Sequence, residues 1–337
     1  MGIFRRFRQN GYVNFVTADF AGEPAFETDQ ATLDANLMCS GFTHTDKPPV
    51  LLVHGTFTAG FEQYDWTYLP LLADRGFDVC IVTYPDRGLG DMQVSAEYVV
   101  NALRRIHAQS GRQVAMVGHS QGATMPRWAL KWWPSARDAV STFVMLAGPN
   151  HGTTSAPDLS KLIAAVPGLA SLPVGLEPAA FYQFSPSSNF VKVLNQGDEA
   201  PGGIAYTSIY SGFYDELVEP AAPVPTAGLD WGKTVPNVAN IEVQSICPGR
   251  FVDHVTIGLT DAVTFALVVD AISHQSLADP ARAGGSALCG LVPIVPSQVI
   301  APQVVSGIIA AMKQEAANGL PDPHLTNAEP PIAAYAQ

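Results

Sequence analysis

Gly118-His119-Ser120-Gln121-Gly122 is the stretch of this chain best suited to do chemistry. A serine hydroxyl is a weak nucleophile until a neighbouring base takes its proton. The spacing G-x-S-x-G, placed between an apolar strand and a helix, puts the serine on a sharp turn with Oγ clear of the backbone. The two glycines remove Cβ atoms that such a turn has no room for. The helix that follows offers its first N–H groups to a negative charge growing on a substrate oxygen. A second turn, His54-Gly55-Thr56-Phe57-Thr58, follows another short apolar run. The backbone N–H groups of Thr56 and Gln121 are the expected oxyanion donors, with the Thr56 hydroxyl as a third. His54 in that turn reads as a hydrogen-bonded structural residue. The bland alternative for Ser120 is a glycine-rich turn with no chemistry, which its setting between a strand and a helix argues against.

That setting comes from the elements around it. Val50–Val53, Asp78–Tyr84, Gln113–Gly118 and Ser141–Gly148 are short runs, apolar on both faces, as buried parallel strands are. Ala205–Ser211 and Ile241–Ile246 are read as two more. Helical spacing separates them. Ala96, Val99, Leu103 and Ile106 recur on one face, with Asp91 as N-cap and Gly111 as terminator. A second helix is expected from Gln121 towards Trp133, stopped by Pro134, and a third over 261–272. Strands alternating with helices make an α/β fold with a mostly parallel sheet and helices on both faces. With the serine turn in its centre, the expectation is an α/β-hydrolase fold. Residues 1–48 read as an N-terminal extension on a single domain over 49–337. The 153–190 stretch has amphipathic spacing at Leu159, Leu162, Ile163 and Val166, followed by several prolines. It is read as a cap or lid insertion, or equally as a surface helix. A last helical stretch is expected over 297–317.

In this fold the nucleophile is followed along the chain by the acid and then by the base. Only His151, His254, His274 and His324 come after Ser120. His254 is favoured, because it follows the 241–246 strand and opens a helix. Asp215 is favoured as the acid because it directly follows 205–211. Glu216 remains its rival, and Asp253 violates the order.

Composition excludes several other classes. Of the 337 residues 47% are hydrophobic and only 14% charged, against roughly 25% charged in ordinary domains. Disorder needs the reverse balance. A net charge of −12 argues against a nucleic-acid partner. No run of 18 apolar residues is present, so no membrane-spanning helix is indicated. Arg5, Arg6 and Arg8 are not followed by the apolar run of a secretory signal, which leaves a mature secreted form or an intracellular protein.

Longer stretches carry a resemblance. Pro49–Thr56, Gln93–Asn101, Ser120-Gln121-Gly122, Trp132–Arg137, Tyr214-Asp215-Glu216-Leu217-Val218-Glu219-Pro220 and Phe251-Val252-Asp253-His254 resemble the lipase B family of α/β-hydrolases, over roughly residues 35–335. The resemblance implies Ser120 as nucleophile, Asp215 as acid and His254 as base, with Thr56 and Gln121 at the oxyanion. It also implies disulfides Cys39–Cys80 and Cys247–Cys289, and with them a secreted protein. Each would close a loop of about 40 residues, favouring the fold by up to ~4 kcal/mol on a chain-entropy estimate. The family carries a tryptophan just before the nucleophile, where this chain has His119. The function implied is a triacylglycerol lipase or carboxylesterase, working through an acyl-enzyme and able to transesterify. A cutinase-like or short-chain esterase is the nearby alternative. An inactive binding protein on the same fold is the distant one. An apolar cleft for the acyl chain is expected from Leu162, Val166, Val299 and Ile308, with His119 and Leu217. The partner is a lipid or other ester. A monomer with no metal and no organic cofactor is expected.

Overall fold

Runs that are apolar on both faces have to be covered on both faces, and the seven-stranded sheet is built that way. The structure is a computed structural model. It describes residues 20–155, 176–218, 225–290, 292–295 and 325–337. The elements that frame the sheet begin with α1 (Gln30–Ala35), β1 (Leu37–Cys39), β2 (Val50–Val53), α2 (Gly60–Tyr64), α3 (Tyr68–Ala73) and β3 (Val79–Val82). Then come α4 (Met92–Ser110), β4 (Val114–His119), α5 (Gln121–Trp132), α6 (Pro134–Asp138) and β5 (Val140–Leu146). The rest are β6 (Glu177–Pro178), α7 (Ala179–Gln183), α8 (Asn189–Leu194), β7 (Ala205–Tyr210), β8 (Val238–Glu242), α9 (Val243–Ile246), α10 (His254–Leu259), α11 (Ala262–His274) and β9 (Leu325–Thr326). The sheet order is β1-β3-β2-β4-β5-β7-β8. Only β1 runs antiparallel in this sheet, so part of the 1–48 stretch is built into the sheet edge.

Side-chain alternation sorts the core into two layers. Leu51 and Val53 of β2 pack with Met116 and Phe143 under α4 and α5. Val50 and Leu52 pack with Val117, Val144 and Ile209 against α3 and α11. All four β2 side chains are fully buried. At about 1.5–3 kcal/mol for each Val or Leu taken from water, a polar substitution here would unseat the centre of the sheet.

Local signals set the helices. The Asp91 carboxylate accepts the N–H of Gln93, and Gly111 closes α4 at φ 67°. The Asp261 carboxylate caps α11 in the same manner. The two disulfides join Cys39 to Cys80 and Cys247 to Cys289. The first pins β1 to its register partner on β3.

One expected strand needs correction. Residues 241–246 are not a strand: β8 covers 238–242, and 243–246 turn helical. The reason is the ladder. β7 ends at Tyr210, which pairs with Glu242, so residues beyond Glu242 have no strand to bond. Gln244 instead folds back, accepting the Gly212 N–H and donating to Ser211 Oγ. The helices expected over 159–166 and 297–317 lie outside the described residues, as do residues 156–175 of the stretch expected to form a cap or lid. At the C-terminus, Gln93 holds the tail through Pro331 O and Ala333 N. Tyr335 accepts a hydrogen bond from Trp128 at 3.0 Å.

Candidate active site

Four loops at the carboxyl end of the parallel strands converge on Ser120. The serine itself sits between β4 and α5 at φ 56°, ψ −122°. That is the left-handed half of backbone space, which non-glycine residues enter only when their surroundings force them. Ser120 N–H is anchored on Leu146 O at 2.9 Å. The flanking glycines are steric requirements. A Cβ on Gly118 would lie 1.8 Å from Gly122 O, and one on Gly122 would lie 2.2 Å from Val53 O. Pro126 inside α5 has no N–H to give the Gly122 carbonyl four residues back.

Asp215 and His254 come from the segments that follow β7 and β8. His254 is the first residue of α10, and Asp253 is its N-cap, accepting the Thr256 N–H. His254 Nε2 lies 2.9 Å from Ser120 Oγ. His254 Nδ1 lies 3.1 and 3.0 Å from the two carboxylate oxygens of Asp215. Asp215 Oδ1 also accepts the N–H groups of Leu217 at 2.9 Å and Val218 at 2.7 Å. Glu216 does something else: its Oε2 accepts the His254 backbone N–H at 3.2 Å.

The electrostatics follow from this packing. Burial disfavours charge on His254, but the Asp215 carboxylate, its hydrogen bond and the charges of Glu216 and Asp253 outweigh it. The imidazole is therefore held above its ordinary pKa. Burial likewise pushes Asp215 up, but the charge and hydrogen bond of His254 and the two backbone N–H groups leave it below the ordinary carboxylate range. A buried base whose proton is stabilised by a fixed carboxylate is poised to deprotonate a hydroxyl.

The opposite wall is the turn after β2. Gly55 lies so close to the serine that a Cβ there would be 3.2 Å from Ser120 Cβ. Thr56 Oγ1 lies 3.4 Å from Gln121 Oε1, and Gln121 Nε2 donates to Gly88 O at 3.0 Å. Gln121 is the first residue of α5, so its N–H has no partner within the helix. His54 is buried and stacked on Tyr84 at 3.8 Å, bonded through both ring nitrogens to backbone. Burial pushes its pKa down to about 4, so it stays neutral.

A cavity of about 200 Å³ opens over Ser120 and His254. His119 and Leu217, expected at the pocket, line it. Leu162, Val166, Val299 and Ile308 lie outside the described residues. Sequence reasoning missed Phe57, Phe184, Val218 and Leu259, which also line it. Phe57 and Val218 were in reach, since they sit in the two turns that carry Thr56 and Asp215. The remaining histidines are elsewhere: His151 faces Glu199 and His274 faces Asp270, while His324 lies outside the described residues. Among the described residues no group of His, Cys, Asp and Glu has the arrangement of a metal site.

Comparison with known proteins matches the chain to a family. The sequence profile of the alpha/beta hydrolase family matches residues 50–296. Lipase B of Pseudozyma antarctica is 29% identical over 321 residues, covering 94% of this chain and 87% of that protein. The crystal structure of Aspergillus fumigatus lipase B superposes with a TM-score of 0.77 at 30% identity. It covers 98% of this chain and 78% of that one.

Proposed function

The chain belongs to the alpha/beta hydrolase family, and from that premise we propose that it is a serine carboxylic ester hydrolase of the lipase kind. Ser120 is the nucleophile, His254 the general base and Asp215 the residue that orients and charges that base. The observation that carries the reading is the continuous hydrogen-bonded path from Ser120 Oγ through His254 to Asp215.

The steps follow from the geometry. Ser120 Oγ attacks the ester carbonyl while its proton passes to His254 Nε2. Asp215 stabilises the imidazolium that results and fixes its tautomer. The N–H groups of Gln121 and Thr56, with the Thr56 hydroxyl, hold the oxyanion. His254 then gives its proton to the departing alcohol, leaving an acyl group on Ser120. Water, or a second alcohol in transesterification, attacks that acyl group with His254 as base and frees the serine. Leu217, Val218 and Phe184 give the cavity an apolar wall that suits an acyl chain. The names of the two lipase B relatives support a lipid ester as substrate. The two disulfides support an oxidising, extracellular location.

Ser120→Ala is the test. It should abolish hydrolysis of p-nitrophenyl butyrate and labelling by a fluorophosphonate, with the thermal midpoint kept. Hydrolysis by the alanine variant at the wild-type rate would overturn the assignment.

A further inference from the structure

His254 is held by its main chain as well as by its ring. His119 Nε2 donates to the His254 carbonyl at 2.8 Å. Gln63 Nε2 donates to His119 Nδ1 at 3.3 Å. Gln63 Oε1 accepts from Gly55 N at 2.8 Å and from Thr58 Oγ1 at 2.7 Å. These bonds run unbroken from the turn that carries Thr56 to the peptide group of His254. Both linking side chains are buried, Gln63 at 3% and His119 at 6% exposure.

The donors and acceptors admit one arrangement. Two donors converge on one end of the Gln63 amide, so that end is its oxygen. Its NH2 then faces His119 Nδ1, which must accept. His119 therefore carries its proton on Nε2, and that N–H meets the His254 carbonyl. Burial, reinforced by the neighbouring His254, holds the pKa of His119 down at about 3. A neutral ring also suits its place 4.9 Å from the imidazole of His254, where a second cation would oppose the one formed in catalysis. α10 presses on this ring: a Cβ on Gly258 would fall 2.2 Å from His119 Cδ2.

We propose that Gln63 and His119 are a positioning pair that locks the His254 main chain and the oxyanion turn into one rigid frame. The proposal rests on the ester hydrolase reading above. Proton transfer needs His254 Nε2 on Ser120 Oγ while the Thr56 turn meets the same carbonyl oxygen. Two loops from distant parts of the chain satisfy both conditions only if something fixes their separation. A misplacement of about 1 Å can cost on the order of 10²-fold in rate.

The test compares Gln63→Met, His119→Phe and the double variant with wild type. Turnover of p-nitrophenyl butyrate is divided by active sites titrated with a fluorophosphonate, so that unfolded protein is not counted. Each single variant should lower kcat per titrated site roughly tenfold, with the larger share of the loss in kcat and not in KM, although both side chains also line the cavity. The double variant should be no slower than the slower single one, because both changes cut the same chain. The acidic limb of the pH profile should stay in place, since Asp215 and Glu216 are untouched. His119→Gln, whose amide both donates and accepts, should recover much of the loss. A lower thermal midpoint with unchanged kcat per site would overturn the proposal, as would losses that multiply in the double variant. Should the buried variants fail to fold, Thr58→Val removes the half-buried one of the two bonds that tie Gln63 Oε1 to the turn and leaves the one from Gly55 N. It should slow kcat per site about threefold, and no change would overturn the proposal. Failure of wild type itself to label or turn over would instead remove the ester hydrolase reading.

Discussion

Asp215→Asn separates charge from shape at the site. Asp215 Oδ1 accepts the N–H groups of both Leu217 and Val218, whereas Oδ2 faces only His254. An asparagine here must keep its oxygen on the two backbone donors, because an NH2 group there would meet two N–H groups. Its NH2 therefore takes the Oδ2 position, 3.0 Å from His254 Nδ1. Two donors cannot share that contact, and the oxygen at the Oδ1 position, 3.1 Å from Nδ1, is already taken by two N–H groups, so the tautomer with its proton on Nε2 is favoured. Nε2–H then points at Ser120 Oγ and can no longer accept its proton. The expected loss in kcat is on the order of 10⁴, or about 5.5 kcal/mol of transition-state stabilisation. A second signature follows from charge. The carboxylate helps to hold His254 above its ordinary pKa. Wild-type kcat/KM should therefore rise with pH through a midpoint above 6.5, where the base becomes neutral. In the asparagine variant burial is opposed by less, and that midpoint should move down. The assay is a pH series of p-nitrophenyl butyrate hydrolysis with circular dichroism as the folding control. A loss under about tenfold, with the acidic limb unmoved, would refute the tautomer argument.

Two further outcomes can be checked with equally simple means. Thr56→Val keeps the backbone N–H and removes the hydroxyl, so kcat should fall, by less than the 10²–10³ expected for loss of a principal oxyanion donor; an unchanged kcat would remove the hydroxyl from the oxyanion site. Burial opposes charge on Glu199, but the hydrogen bonds from His151 and the Asp230 N–H, with the charge of Arg127, hold its pKa at about 2. A depressed carboxylate adds stability above its ordinary value of 4.5 and loses it as pH falls towards 2. The gap in urea midpoint between wild type and Glu199→Gln should therefore be widest above pH 4.5 and close on acidification; a gap that widens in acid would contradict the sign.

The fold was legible where residues answer to short-range rules. β2, β4 and β5 are apolar on both faces, and α4 carries its own cap and terminator, so periodicity and end signals locate them. The sheet edge was not legible in the same way. Ile241 and Val243 are both buried, which reads as a strand, yet the chain turns helical after Glu242 because the neighbouring strand ends. The length of an edge strand is decided by its partner, and that partner lies some thirty residues away in sequence.

The site shows the same division more sharply. Three carboxylates, Asp215, Glu216 and Asp253, crowd His254, and composition cannot tell them apart. Chain order removes Asp253, and the structure gives it another task as the N-cap of α10. Order says nothing about Asp215 and Glu216, which share one turn. What separates them is backbone direction. The turn aims Asp215 at the ring nitrogen, while two N–H groups fix its oxygens, and it aims Glu216 at the His254 backbone N–H. His119 carries the same lesson from the other side. Its place before Ser120 marks it as a pocket residue, and it does line the cavity. Its bonds to Gln63 and to the His254 carbonyl join residues 56 and 135 positions apart, which spacing along the chain could not disclose. A nucleophile turn is written locally because strain and sterics act over a few bonds. The frame that keeps a base in line with it is written across the whole fold, in side chains whose individual types are unremarkable.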